Sequence, residues 1–178
     1  MRITTIALLL SVVLILGGCG PVESQNPLFT DKDVTFDPGL VGTWVSDDDG
    51  AVTLKRSHGQ TYKGVYRENP REKPIAVEAR LGDVVGLRFL DVMFLSEEAH
   101  GGHMFFRYSR DASVLQLTGL NSDWVQKVLT SGETKLDYQM VKDEIVLTAP
   151  TDDLRQFVVK YASEKEAFPV VMEFHRKR

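Results

Sequence analysis

The chain has 178 residues, 43% hydrophobic and 26% charged, with 21 Lys and Arg against 25 Asp and Glu and a net charge of −4. This size and apolar content suit one domain with a substantial core. The mildly acidic balance, without a basic stripe, argues against a nucleic-acid partner, and a single cysteine, Cys19, excludes an internal disulfide or a Cys-based zinc site.

The chain opens with one positive charge, Arg2, then an almost wholly aliphatic run over 6–16, then Gly17, Gly18 and Cys19. The run is shorter than the ~20 residues a transmembrane helix needs, and small residues before the cysteine suit a peptidase cleft. Leu16-Gly17-Gly18-Cys19 resembles the lipobox of bacterial membrane lipoproteins. The resemblance implies a signal peptide over 1–18, cleavage before Cys19, a diacylglycerol on its thiol and an acyl chain such as palmitate on the new amino group. Cys19 is thus the expected lipid-attachment site and the membrane the expected partner. Each buried CH₂ contributes ~0.8 kcal/mol and stable anchoring takes two signals, which two or three chains on one residue supply. The mature chain would keep 20 basic against 25 acidic residues, a net charge of −5. Gly20, where an aspartate commonly marks inner-membrane retention, implies the outer membrane facing the periplasm in a two-membrane cell, and the cell surface in a one-membrane cell.

Residues 19–38 hold three prolines and scattered polar groups, without helical or strand periodicity. The first part reads as a flexible tether; Leu28, Phe29, Val34 and Phe36 are too apolar for a pure linker and read as a strap docked on the domain edge. The domain itself is expected over 39–178. It is mainly β, with short period-two segments separated by turn residues. Strands are expected at 40–46 and 51–56 around the Asp49-Gly50 hairpin signal, and then at 61–67, 75–81, 84–95 with a break near Gly86, 103–109 and 114–117. A pair at 136–141 and 144–148 follows, and 170–175 closes the chain. Two segments break the pattern. Ser122 is placed to cap a short helix with Trp124, Val125, Val128 and Leu129 on one face and Gly132 as its stop. Thr151 is placed to cap a longer one, with Asp152 and Asp153 at its positive end and Leu154, Phe157, Val158 and Tyr161 as its stripe. So many short strands argue an antiparallel meander closing into a barrel or half-barrel, with both helices plugging or flanking it.

Gly42-Thr43-Trp44, at the start of the first long strand, resembles the Gly-X-Trp signature of the lipocalins. The resemblance implies a barrel with Trp44 sealing one end and a late arginine, Arg176 or Arg178, stacked on its ring. The order of meander, amphipathic helix and last strand is similar too, and Leu136-Asp137-Tyr138 loosely resembles the family's second conserved stretch; the family's usual disulfide is missing. Lipobox, Asn-Pro-Leu-Phe and Gly-Thr-Trp together also resemble uncharacterised bacterial lipoproteins, a likeness that carries no activity.

Candidate chemistry is sparse. Glu97, Glu98, His100 and His103 group around two glycines, and histidines at i and i+3 can chelate, but paired glycines make a hairpin costly to order around an ion. Asp47, Asp48 and Asp49 precede Gly50 without the terminal glutamate of a calcium loop. No Gly-x-Ser-x-Gly elbow, phosphate loop or His-Glu-x-x-His pattern occurs. No catalytic, metal or cofactor-binding residue is assigned, and no cofactor is expected. Phe89, Leu90, Met93, Phe94, Met104, Phe105 and Phe106 serve either a filled core or, where half face inward in a barrel, an apolar cavity. Two functions follow: a non-enzymatic envelope lipoprotein binding a small apolar or lipid-like molecule, or a structural lipoprotein with a filled core and an envelope-protein partner.

Overall fold

Strands rich in β-branched and aromatic residues, each feeding a short turn, leave no edge uncovered when they close on themselves. In the computed structural model, which describes residues 22–95, 102–142, 144–169 and 171–177, that closure is complete. Chain order is β1 (Glu23–Ser24), β2 (Val34–Thr35), a 3₁₀ turn (Pro38–Leu40), β3 (Gly42–Val45), β4 (Ala51–Arg56), β5 (Thr61–Arg67), β6 (Ile75–Val84), β7 (Leu87–Leu95), β8 (His103–Arg110) and β9 (Val114–Gly119). Then come α1 (Ser122–Thr130), β10 (Tyr138–Val141), β11 (Glu144–Leu147), α2 (Thr151–Tyr161) and β12 (Val171–Arg176). Strands β3 to β9 form an antiparallel meander, and β12 pairs antiparallel with both β9 and β3. The result is a closed eight-stranded barrel, consistent with a lipocalin-like one.

The strap leaves the barrel intact and thickens one wall. β8 pairs with β9 from Phe106 to Arg110, whereas opposite Met104 and His103 its neighbour is β1. β1 in turn pairs in parallel with β11, so the β10–β11 hairpin hangs on the barrel through two strap residues. Side-chain alternation then builds two cores. Leu90 and Val92 of β7 and Phe106 and Tyr108 of β8 point inward with Trp44, Leu54 and Phe174. Phe89 and Phe105 point outward and are covered by strap residues Val22, Leu28, Phe29 and Val34 and by the buried faces of α1 and α2. The helices therefore flank the barrel. Phe29 lies flat over Gly82 of β6, where a Cβ would sit 2.4 Å from its ring. Arg80 donates to the Phe29 carbonyl (3.0 Å), Arg155 pairs with Asp33 (3.0 Å), and Leu28 N–H donates to buried Asp91 (2.9 Å).

Several local expectations are corrected. The 75–81 and 84–95 strands are joined by no loop after Leu81: β6 continues to Val84, and the tip is Val85-Gly86, with φ of 50° and 77°. Positive φ at both central residues is the hairpin geometry whose twist matches the strands, and it overrides the strand propensity of Val85. The cap of α1 is Asn121 rather than Ser122, its side chain accepting from Trp124 N–H at 2.7 Å. α2 has no side-chain cap, because the Thr151 hydroxyl donates instead to the Pro27 carbonyl of the strap at 2.7 Å. The first β turn runs Ser46 to Gly50 with Asp49, not Gly50, at positive φ (64°). The Leu136-Asp137-Tyr138 stretch lies beside the barrel in the appended hairpin, not in its wall.

Candidate functional site

One end of the barrel is sealed by Trp44. Its indole is fully buried, its ring N–H donates to the Leu40 carbonyl at 3.0 Å, and the Arg176 guanidinium lies 4.3 Å from its ring centre. Arg176 also donates to the carbonyls of Val41 (3.1 Å) and Gly39. Gly42 makes this possible: its φ is 137°, and a Cβ there would lie 2.7 Å from the guanidinium. Of the two arginines the resemblance offered, Arg176 takes the role; Arg178 is outside the described residues.

Beside Trp44 sits a polar cluster that no sequence motif announced. The Asp37 carboxylate accepts from the Tyr108 hydroxyl (2.7 Å), Arg110 (3.2 Å) and Gly39 N–H (2.8 Å), and pairs with Arg88 (3.3 Å). Tyr62 donates to the Asp37 carbonyl and accepts from its N–H, and stacks on Phe36 at 5.1 Å. Burial pushes the Asp37 carboxyl up, but the hydrogen bonds from Tyr108 and Gly39 and the charge of Arg110 outweigh it and hold the group below the usual range. Burial, then the bond to Asp37, pushes the Tyr108 phenol up to about 12. These bonds tie the strap at Asp37 to β5, β7 and β8 across the sealed end.

Above the seal the barrel is hollow. A cavity of about 340 Å³ is lined by fifteen residues, from Leu54, Ala79, Leu90 and Leu115 in its depth to Tyr66, Ile75, Phe94, Met104 and Met172 toward the other end. Such a volume lies at the lower end of the ~300–1,000 Å³ typical of ligand pockets. The Tyr66 phenol is the one hydrogen-bonding side chain among the lining residues, standing edge-on to Phe94 at 5.7 Å. Burial and then the carboxylates of Glu68 and Glu72 raise its pKa, so it is neutral at physiological pH. An apolar, uncharged chamber can exclude water and hold hydrocarbon. Of the apolar residues that the sequence left between core and cavity, Leu90, Phe94, Met104 and Phe106 line the chamber, Phe89 and Phe105 face the outer core, and Met93 lies on the outer wall beside Asp91 and His103.

The metal-ligand candidates do not assemble. Glu97, Glu98 and His100 lie outside the described residues, and His103 points to the outer wall, where its Nδ1 is 2.7 Å from the carboxylate of Asp91. Asp47 to Asp49 are exposed turn residues, and no group of three or more His, Cys, Asp or Glu suited to a metal occurs among the described residues. Cys19, the expected lipid-attachment site, also lies outside them. No protein-family model, curated protein or solved structure matches the chain.

Proposed function

We propose that the chain is a membrane-anchored envelope lipoprotein, held by acyl chains on Cys19, whose barrel binds a small apolar or lipid-like ligand and catalyses no reaction. The observation that carries this reading is the 340 Å³ apolar cavity above the Trp44–Arg176 seal. A filled core would leave no such space, since protein interiors pack with few voids larger than a water molecule. The lipobox-like segment supports anchoring, and Gly20 supports the outer membrane facing the periplasm, or the cell surface where there is a single membrane. Native mass spectrometry of the purified protein, with lipid extraction of the same sample, tests the reading. A co-purifying apolar molecule, or displacement of a bound fluorescent fatty acid, is expected. A dry barrel that takes up no probe would overturn it.

The alternative, a structural protein with an envelope partner, draws on one feature. β10 is the outermost strand of the appended hairpin, and its Tyr138 and Met140 are exposed.

A further inference from the structure

We infer that the chamber selects an uncharged, chain-like molecule carrying one carbonyl or ether-type oxygen, held by the Tyr66 hydroxyl, over the matching carboxylate. The inference rests on the ligand-binding reading above and adds the chemistry of the ligand and the residue that reads it.

The lining sets what the chamber can offer. Every lining residue except Tyr66 has a hydrocarbon or thioether side chain. The sulfurs of Met104 and Met172 are at most weak acceptors, and the wall's backbone N–H and C=O groups are spent in the strand ladders. Strong hydrogen bonding inside the chamber therefore comes from one hydroxyl. Register places it: Tyr66 pairs with Val52 of β4 and Ile75 of β6, both lining residues, so the three share the inward face. The Tyr62 and Tyr108 hydroxyls, in the same inner core, are tied to Asp37. The Tyr66 hydroxyl makes no hydrogen bond to a described residue.

A half-buried phenol without an acceptor carries a desolvation cost that a ligand oxygen removes by accepting its proton. A pure hydrocarbon leaves that cost in place. A carboxylate adds a larger one, because its charge must leave water for a wall without Lys, Arg or His. The charges felt at the Tyr66 phenol are moreover the carboxylates of Glu68 and Glu72, which repel another anion. An ammonium is drawn to those two, but both are exposed and solvent screens the attraction, whereas its own desolvation is not relieved. The volume sets the length. A space of 340 Å³ takes about eleven water-sized groups at ~30 Å³ each, roughly ten carbons and the oxygen.

Isothermal titration calorimetry of the full-length protein near neutral pH, with decan-2-one, 1-decene, decanoate and decylammonium, tests the inference. Decan-2-one should bind roughly tenfold more tightly than 1-decene or decanoate, and more tightly than decylammonium. Tyr66→Phe removes the hydroxyl and keeps the ring. It should bring decan-2-one down to the affinity of 1-decene while 1-decene itself binds as before, a split that a merely structural role for the ring would not produce. Glu68→Gln with Glu72→Gln should raise decanoate affinity several-fold and leave decan-2-one unchanged. Decan-2-one binding indifferent to Tyr66→Phe overturns the role of the hydroxyl. Decanoate or decylammonium binding as tightly as the ketone overturns the uncharged class, and decanoate indifferent to the double substitution overturns the electrostatic exclusion. If 1-decene binds and the ketone gains nothing over it, this inference alone falls; if neither binds, the ligand-binding reading falls with it.

Discussion

Trp44→Ala is the perturbation that most directly probes the barrel. A buried tryptophan contributes on the order of 150–250 Å² of covered surface, which at ~25 cal/mol per Å² is about 4–6 kcal/mol. That figure is an upper bound, because the unfolded chain already covers part of it. Trp44 is fully buried between Leu40 and Arg176, so the substitution also removes a hydrogen bond of ~1 kcal/mol and a cation–π contact of ~0.5–2 kcal/mol. Measured Trp→Ala losses centre on ~3–5 kcal/mol, and we expect about 4 kcal/mol here, a large share of a typical ~5–15 kcal/mol total. Urea unfolding followed by fluorescence in a Trp124→Phe background, with the residue at 44 as the only tryptophan in the reference protein, measures the reference stability; circular dichroism follows the variant. A double-mutant cycle with Arg176→Met should return a coupling of ~0.5–2 kcal/mol. A loss under about 1 kcal/mol, or zero coupling, would refute the claim that this pair seals the barrel.

The Asp37–Tyr108 pair makes stability depend on pH at both extremes. The Asp37 pKa is held down in the fold, so its contribution is present above the unfolded value of ~3.9 and is lost as pH falls through the folded one. The Tyr108 pKa is raised to about 12, so its contribution is full below the unfolded ~10 and disappears as pH climbs toward the folded value. Tyr108→Phe should flatten the alkaline limb of a Tm-against-pH curve; an unchanged limb would contradict this. Asp91→Ala leaves the Leu28 N–H and the His103 ring without their partner and should cost ~1–3 kcal/mol for each buried group left unsatisfied, seen first as faster amide exchange in the strap at Leu28 and Phe29. Ala79→Leu grows into the cavity and should weaken binding of a fluorescent fatty acid about tenfold without lowering Tm, space for a few methyls being free there. Cys19→Ser should leave an unacylated protein of full precursor mass on a gel; a mature-sized, detergent-partitioning product would refute the lipid anchor.

How far the sequence reaches depends on the range of the interaction that decides each element. The barrel strands were legible because alternation is a local pattern: Leu90, Val92 and Phe94 carry one face of β7 whatever else the chain does. β1 and β2 were not, since strands of two residues have no period to detect and exist only because β8 and β6 offer them an edge. Ser122 lost the cap to Asn121, one residue away with the same chemistry, and Thr151 lost its capping role to a carbonyl 124 residues distant in sequence. The Trp44–Arg176 contact came through the likeness of Gly42-Thr43-Trp44 to a known signature, since nothing local ties a residue in β3 to one in β12. Asp37 looked like one more loop acid because its partners, Tyr108 and Arg110, lie more than seventy positions on. The cavity was beyond reach for a different reason. A filled barrel and a hollow one share the same inward apolar residues, and the difference of 340 Å³ is set by how closely the walls approach. That distance belongs to the closed sheet as a whole, and no single residue in it carries the information.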